Sequence, residues 1–300
     1  MTQLGFAELI EFFEKENFVF ELKDQSLIRV SGKDHIKFLN GISSNEVENL
    51  PQGESTYSLI LTNKGKILFD ICLFKINDSS MYIQTNSNQI DSLIKHIAQY
   101  KMSLDVEVDN LSEKYTIFKN KSHNIESKIS FNSPLPLEEN FRIIFIEKDH
   151  KKIFQSPIID DKLYVQWKII NGVPSYPYEI NSRIIPIEAN MWSAISFIKG
   201  CYIGQEIIAR IRYKGQVKRT LACIKSDKDI KINDAVHNSQ GKNIGQISSK
   251  TYISNDNCTF ALGFVDYSEN IDENKIFLLG NEALVVKNNY QIENIKNLEL

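Results

Sequence analysis

The residues best suited to chemistry lie together in one segment of the chain. Lys199-Gly-Cys201-Tyr202 places a thiol two residues from an ammonium, and Gly204 then precedes a helix predicted to begin near Gln205-Glu206. A nearby cation and a helix N-terminus are two features that lower the pKa of a cysteine thiol, typically from about 8.5 into the range of about 3.5 to 7.5. The segment therefore predicts a reactive thiolate at Cys201. A buried cysteine that only packs a turn is the alternative.

The sequence contains no motif typical of other kinds of reactive site. The remaining cysteines, at Cys72, Cys223 and Cys258, form no C-x-x-C pair, and the five histidines are isolated, so we predict no metal site. Four cysteines in 300 residues are too few for a disulfide framework, which fits a reducing compartment. Nucleotide-binding and nucleophile-elbow motifs are missing as well.

Positive charge is concentrated just after the cysteine. The net charge of the whole chain is −3, yet residues 199–219 carry six cations and one anion. Such a local excess attracts anionic ligands, and a solvated basic helix end is the alternative reading.

Spacing of apolar residues predicts an α+β lobe at the start of the chain. Helical spacing covers 6–13 and 88–100, and strands are expected at 57–61, 67–76, 81–84, 104–108 and 115–118. Ser31 and Asp34 resemble a capping box for a short helix that ends at Asn40-Gly41 in a left-handed cap. Alternation of strands and helices with paired hairpins indicates a ferredoxin-like arrangement.

The final third of the chain has a different texture. A helix is predicted at 162–170, followed by a stiff linker at 173–178 with two prolines. Short strands separated by Gly and Asn turns are then expected at 220–224, 235–237, 244–248, 260–265, 276–279 and 283–286. Even spacing of this kind is typical of a small β-barrel or sandwich. No run approaches the roughly 18 apolar residues of a membrane span.

Several of these motifs resemble one known family. Lys199 to Glu206, KGCYIGQE, is similar to the signature of the YgfZ family, folate-dependent proteins of iron–sulfur cluster assembly that are related to the glycine-cleavage aminomethyltransferase, the T-protein. The likeness covers nearly the whole chain, and the further matching stretches are 185–190, 208–210, 32–41, 63–70, 241–247 and 261–263.

The resemblance implies a fold and a function. The fold is an aminomethyltransferase-like, folate-binding α+β fold with a small C-terminal β-barrel, for which we expect a folate-binding region at 1–215, built of two interleaved lobes, and the barrel at 216–300. The function is assembly or repair of [4Fe–4S] proteins with tetrahydrofolate, with indirect effects on tRNA modification because thiolation enzymes carry such clusters. Partners would be iron–sulfur assembly proteins or [4Fe–4S] client enzymes.

The resemblance also assigns site residues. The cysteine needed for activity in the family maps onto Cys201, with Lys199 beside it as the second catalytic residue. Cofactor-binding residues are expected among positions near the motif and in the hairpin: Asp70, Tyr202, Gln205, Glu206, Arg210 and Arg212. For Gln205 and Glu206 the alternative is that they shape the turn and the helix start, and for Asp70 that it is a polar hairpin residue. The basic stretch would face folate carboxylates.

The sequence departs from the family pattern at two places, and two alternative functions remain open. Ser44-Asn45-Glu46 stands where the family often has Thr-Asn-Asp, and Phe69-Asp70 stands where aminomethyltransferases carry adjacent aspartates, which argues against aminomethyl transfer from a lipoyl carrier. A tetrahydrofolate-dependent one-carbon transferase is the first alternative, and a non-catalytic RNA- or protein-binding module is the second. We expect a cytoplasmic protein, because residues 1–16 resemble no signal or transit peptide. We expect no membrane contact, and no direct contact with nucleic acid because the basic run at 210–219 is short and stands alone.

Overall fold

A computed structural model describes residues 4–121, 129–150, 154–215, 217–266, 275–278, 280–286 and 289–291. The chain divides into two compact units. The sheet unit comprises residues 17–161 and 193–209, and the barrel unit comprises 1–16, 162–192 and 210–300. The division into regions 1–215 and 216–300 stays a prediction.

The helices and strands follow in chain order. They are α1 (Phe6–Lys15), β1 (Phe18–Glu21), β2 (Gln25–Ser31), α2 (His35–Ile42), β3 (Ser55–Leu61), β4 (Ile67–Asn77), β5 (Ser80–Asn86), α3 (Ile90–Tyr100), β6 (Glu107–Asn110), β7 (Tyr115–Lys121), β8 (Ser130–Asn132), β9 (Arg142–Glu147), α4 (Asp161–Ile170), α5 (Gln205–Lys214), β10 (Arg219–Ser226), β11 (Ala235–His237), β12 (Asn243–Ile253), β13 (Cys258–Asp266), β14 (Lys275–Leu278) and β15 (Asn281–Val286).

In the sheet unit, a five-stranded antiparallel sheet of order β3-β4-β5-β2-β6 carries α2 and α3 on one face. Alternate residues of β4, among them Phe69, Ile71 and Leu73, are buried in one core with Phe38 of α2 and Leu93 of α3. Because side chains alternate across a strand, Asp70 lies on the opposite face. The predicted α+β lobe is confirmed.

That opposite face packs on a second sheet of order β1-β7-β9-β8. Phe74 of β4 contacts Phe131 and Phe145 at ring-centroid distances of 5.1 Å each. Within this unit, Lys119 and Glu138 form a salt bridge of 2.6 Å in which both side chains are 2% exposed. Since breaking such a pair leaves an uncompensated buried charge, the pair fixes how β7 meets the segment before β9.

Both ends predicted for α2 are wrong. Ser31 is the last residue of β2, and Asp34 makes no side-chain cap; its carboxylate instead accepts a hydrogen bond from the Asp105 N–H at 2.9 Å. Gly41 lies inside the helix, which ends at Ile42 and is followed by the extended Ser43. Local sequence therefore does not provide the cap at either end of α2.

The barrel unit contains a closed six-stranded barrel of order β10-β13-β12-β11-β14-β15, which confirms the predicted C-terminal barrel. Its interior is filled by small and branched apolar side chains, among them Ile224, Val236, Ile247 and Ala261. Phe6 of α1 stacks on Phe260 with ring centroids 5.1 Å apart. The first helix of the chain is thus part of the same unit as its last strands.

Across the described residues, no helix has both the length and the apolar character needed to cross a membrane.

Candidate functional site

Cys201 lies in a segment before α5 that is neither helix nor strand, and its side chain is exposed. The other three cysteines, which are also in the described part of the chain, are buried. Burial raises the pKa of the Cys72 and Cys258 thiols and raises that of Cys223 to about 12. Because the thiolate is the reactive form, these three thiols are inert, and Cys201 is the accessible one.

The Lys199 side chain turns away from solvent into the sheet unit. Its Nζ donates hydrogen bonds to the carbonyl oxygens of Asn40, Ser43 and Asn45 at 2.7, 2.8 and 2.8 Å, and the residue is only 8% exposed. Burial lowers the pKa of Lys199 to about 8. An ammonium has three N–H donors, so the three carbonyls use all of them.

Lys199 therefore has a role that the sequence did not reveal. Carbonyls at the end of a helix need donors from outside the helix, and the ammonium supplies them at the end of α2. This contact joins the segment that carries Cys201 to α2, more than 150 residues earlier in the chain. The reactivity of the Cys201 thiol and a catalytic role of Lys199 stay predictions.

Two polar side chains after α2 hold the same segment from a second side. Asn45 Nδ2 donates to the carbonyls of Tyr57 and Ser193 at 2.8 and 2.9 Å. Ser44 Oγ donates to the Ala194 carbonyl at 2.6 Å. The sequence pointed to Ser44 and Asn45 only as a departure from the family pattern, because hydrogen bonds to distant backbone leave no local signal.

Two glycines allow the cysteine segment to pack on the β3–β4 hairpin. Gly204 has φ +85°, and a Cβ atom there would lie 2.5 Å from the Thr62 carbonyl oxygen and 3.2 Å from Gly65 Cα. Gly65 has φ +69°, and its Cβ would meet Ile207 Cβ at 3.0 Å. Positive φ and close backbone contact both favour glycine. Two motifs that are far apart in the sequence thus meet, and α5 begins at Gln205, as predicted.

The Tyr202 side chain is buried beneath Lys199, whose Nζ lies 5.5 Å from the ring centroid. Its hydroxyl oxygen is buried and has no hydrogen-bond partner among the described residues. Burial raises the pKa of Tyr202 to about 12, so the hydroxyl keeps its proton at neutral pH.

The two residues at the start of α5 differ in exposure. Gln205 is half-buried, and its backbone N–H donates to the Tyr202 carbonyl at 3.2 Å, whereas Glu206 is exposed.

The remaining predicted cofactor residues divide between the units. Asp70 is half-buried in β4 of the sheet unit, opposite Leu59 of β3. Arg210 and Arg212 lie in the C-terminal part of α5, which belongs to the barrel unit. Arg210 is exposed, and Cζ of Arg212 lies 5.4 Å from the centroid of the Tyr213 ring. Their roles as cofactor ligands stay predictions.

One group of potential metal ligands occurs on an exposed turn of the sheet unit. Ligand atoms of Glu147, Asp149 and His150 lie within 4.8 Å of one another. His150 contacts both acids, at 3.2 and 3.1 Å, and Lys114 contacts Glu147 at 3.2 Å. These ion pairs account for the grouping, and we assign no metal to it.

Comparison with known proteins gives relatives along most of the chain. Residues 11–120 match the GCVT N-terminal domain. The chain is 25% identical over 277 residues to the tRNA-modifying protein YgfZ of Blochmanniella pennsylvanica, covering 79% of this chain and 83% of that one. It is 24% identical over 234 residues to the mitochondrial iron-sulfur cluster assembly factor IBA57 of Mus musculus, covering 69% and 65%.

The fold also has a solved counterpart. The crystal structure of glycine cleavage system aminomethyltransferase T from Bartonella henselae superposes with a TM-score of 0.76 at 14% identity, covering 96% of this chain and 90% of that one. Such a likeness shows that the two proteins share a fold, and it confirms the predicted aminomethyltransferase-like fold. The sequence relatives and the KGCYIGQE motif at 199–206 agree with this fold, and the chain resembles the YgfZ family along most of its length.

Proposed function

We propose that this protein is a folate-dependent factor in the assembly or repair of [4Fe–4S] proteins, and that the Cys201 thiol is its reactive group. The observation that carries the proposal is an exposed thiol on a segment held from two sides, by Lys199 on the end of α2 and by Gly204 on the β3–β4 hairpin. A site whose supporting groups are fixed presents its reactive atom without further ordering. The relatives, a tRNA-modifying protein and an iron-sulfur cluster assembly factor, agree with this role.

The chemistry of one thiol limits how it can act. A thiolate is a soft ligand suited to iron and iron–sulfur clusters. A [4Fe–4S] cluster takes four thiolates, so Cys201 would bind iron or a cluster in transit, with the remaining ligands supplied by another protein. We therefore expect an iron–sulfur assembly protein or a [4Fe–4S] client enzyme as the partner, with the cluster as cargo.

Tetrahydrofolate fits the donor set of the sheet unit. A buried Tyr202 hydroxyl that keeps its proton and has no partner in the described chain suits a ligand acceptor, and Asp70 offers a half-buried carboxylate to ligand N–H groups. Gln205 and Glu206 would line the same turn. Bound tetrahydrofolate supplies one-carbon chemistry, while the protein orients it.

A one-carbon transferase is the second candidate. The shared fold with an aminomethyltransferase and the retained Asp70 favour it. It predicts turnover of an aminomethyl donor by the purified protein, loss of turnover in Asp70→Asn and retention in Cys201→Ala. The first proposal predicts the reverse for Cys201→Ala, so the two candidates separate on one variant.

The proposal is tested by rescue of a strain that lacks the gene. We expect wild type to restore [4Fe–4S] enzyme activity in extracts and, through it, tRNA thiolation, whereas Cys201→Ala fails at equal protein abundance. Cys258→Ala, which removes a buried thiol in the barrel unit, is the matched control and should rescue. Full rescue by Cys201→Ala would remove the thiol from the function. The bulk of the rescuing protein should fractionate with the cytoplasm.

The cofactor is tested separately by calorimetric titration with tetrahydrofolate. Tyr202→Phe keeps the buried ring and removes a hydroxyl without a partner in the described chain, so it should fold at least as well as wild type. We expect its affinity to fall by about tenfold, the loss of one hydrogen bond. Absence of tetrahydrofolate binding by wild type would exclude the cofactor.

A further inference from the structure

A cleft of about 760 Å³ opens in the barrel unit, and all the residues that line it belong to this unit. Its lining comes from the segment from Tyr178 to Ile184, the start of β10, residues 232–235 with the start of β11, the strand β12 and the end of β13. Sites for drug-sized ligands occupy roughly 300–1,000 Å³. The cleft is therefore a candidate ligand site, with far more room than a single phosphate or sulfate fills.

Positive charge prevails in the cleft. Its lining includes the cations Arg183, Lys218 and Arg219 and one acid, Asp266. Arg219 is anchored, because Nε donates to Glu188 at 3.1 Å and Nη2 lies 3.4 Å from the Arg183 carbonyl. Lys218 and Arg183 are exposed at the rim. Three cations against one acid favour a ligand with more than one negative charge.

Two amide side chains in the cleft lining match the polar groups of a peptide chain. Asn243 uses Oδ1 to accept from the Gly245 N–H at 3.1 Å, and Gln246 uses Nε2 to donate to the Asn233 carbonyl at 3.1 Å. Their opposite ends, Asn243 Nδ2 and Gln246 Oε1, are one donor and one acceptor. A peptide group has one acceptor and one donor and is their complement.

The cleft also offers apolar surface to a ligand. Tyr178 and Ile232 line the cleft and are 53% and 45% exposed. Large apolar side chains in an open cleft are suited to aliphatic parts of a ligand. A chain of glutamyl residues combines several carboxylates, amide links and short aliphatic stretches.

We infer that this cleft binds an oligoglutamyl chain, with Lys218 and Arg183 pairing with its carboxylates and Asn243 and Gln246 with its amide links. Two sources share this chemistry: the γ-linked tail of a folate polyglutamate and an α-linked acidic segment of a partner protein. The first source rests on the proposed function, whereas the chemistry of the cleft does not.

The test is titration of the full-length protein with two probes that lack a pterin, γ-linked and α-linked pentaglutamate. We expect binding that weakens with salt, because exposed charges are screened. Lys218→Glu should weaken it by about tenfold or more, as charge reversal at a contact does. Lys228→Glu, an exposed lysine outside the cleft lining, is the matched control and should leave affinity unchanged. A double change, Asn243→Ala with Gln246→Ala, should weaken binding without altering its salt dependence.

The relative affinities of the two pentaglutamates distinguish the two sources. Tighter binding of the γ-linked chain assigns the folate tail, and tighter binding of the α-linked chain assigns a protein segment; both support the cleft. No binding at low salt, or equal weakening by Lys218→Glu and Lys228→Glu, overturns it. Titration with tetrahydrofolate monoglutamate separates the two proposals: if it binds while both pentaglutamates fail, the cleft proposal falls and the folate proposal stands, and the opposite result does the reverse.

Discussion

Lys199 and Lys218 belong to the same basic stretch of sequence, yet the structure gives them opposite surroundings. Lys199 in the sheet unit is buried and donates to three backbone carbonyls. Lys218 in the barrel unit is exposed at the rim of a cleft. The comparison shows that density of charge in a sequence does not identify a binding surface. Burial and hydrogen-bond partners decide whether a cation supports the fold or remains available to a ligand.

The largest difference in stability between the two regions is expected when the ammonium of each lysine is removed in turn. Lys199→Met leaves three carbonyls without their donor, and an unsatisfied buried acceptor costs about 1–3 kcal/mol. We expect the free energy of unfolding to fall by about 3 kcal/mol or more in urea titrations. Lys218→Met, the matched control at an exposed position, should change it by less than about 0.5 kcal/mol. Equal losses for the two variants would contradict the comparison.

Glycines provide a second contrast between the same regions. Gly204→Ala places a methyl group 2.5 Å from the Thr62 carbonyl oxygen at a φ of +85°, whereas Gly241 has a similar φ of +76° with nothing within 4 Å of the added atom. Both changes carry the left-handed penalty of about 1 kcal/mol. We expect Gly204→Ala to lose about 2 kcal/mol or more in thermal or urea unfolding, and Gly241→Ala only the penalty. A Gly204→Ala protein as stable as Gly241→Ala would mean that the cysteine segment is not held on the hairpin.

A buried carboxyl group lies behind the cleft lining, and the pH dependence of stability reports on it. Glu179 is fully buried, and it accepts hydrogen bonds from Ser248 Oγ, which lines the cleft, and from the Ser175 N–H. Burial raises the pKa of Glu179 above its ordinary value of 4.5. Above pH 4.5 the unfolded chain has lost this proton while the folded protein keeps it, so stability falls as pH rises through the folded pKa.

Glu179→Gln removes this titration. In urea unfolding from pH 4.5 to 7.5, wild type should lose stability relative to Glu179→Gln as the pH increases. A difference that is constant with pH, or that grows in favour of wild type, would show that Glu179 is not a buried acid beneath the cleft.

The smallest effect on stability is expected at the cysteine itself. Cys201 is exposed, so Cys201→Ser should change the free energy of unfolding by less than about 0.5 kcal/mol. Native wild type should react with a thiol reagent such as DTNB at one cysteine, and native Cys201→Ser at none, because the other three thiols react only after unfolding. Rapid reaction of more than one thiol in the native protein would contradict the burial of the others.

The sequence predicted the elements that rest on local pattern. Alternation and turns predicted the barrel strands, of which Ala235–His237 has the expected bounds and the others are longer or shifted by a residue. Apolar residues at helical spacing predicted α1, α3 and α4 to within two residues. The hairpin around Gly65 and the start of α5 followed from turn and helix-start residues in the same way.

The site was less predictable, because its contacts are distant in the chain. The sequence placed Lys199 beside Cys201, as a neighbour of the thiol, whereas its side chain closes α2 in place of the expected Gly41 cap. Nothing local in the sequence records that Asn45 binds the backbone of Ser193. The cleft was also missed, because its lining comes from five separate parts of the barrel unit.

The central claim, that Cys201 acts in cluster assembly together with tetrahydrofolate, is tested most directly by reconstitution in vitro. An apo [4Fe–4S] enzyme is incubated with iron, a sulfide source and the purified protein, with and without tetrahydrofolate, and the rate of recovery of its activity is measured. We predict that wild type with tetrahydrofolate accelerates recovery and that Cys201→Ser does not. Equal acceleration by Cys201→Ser would contradict the account.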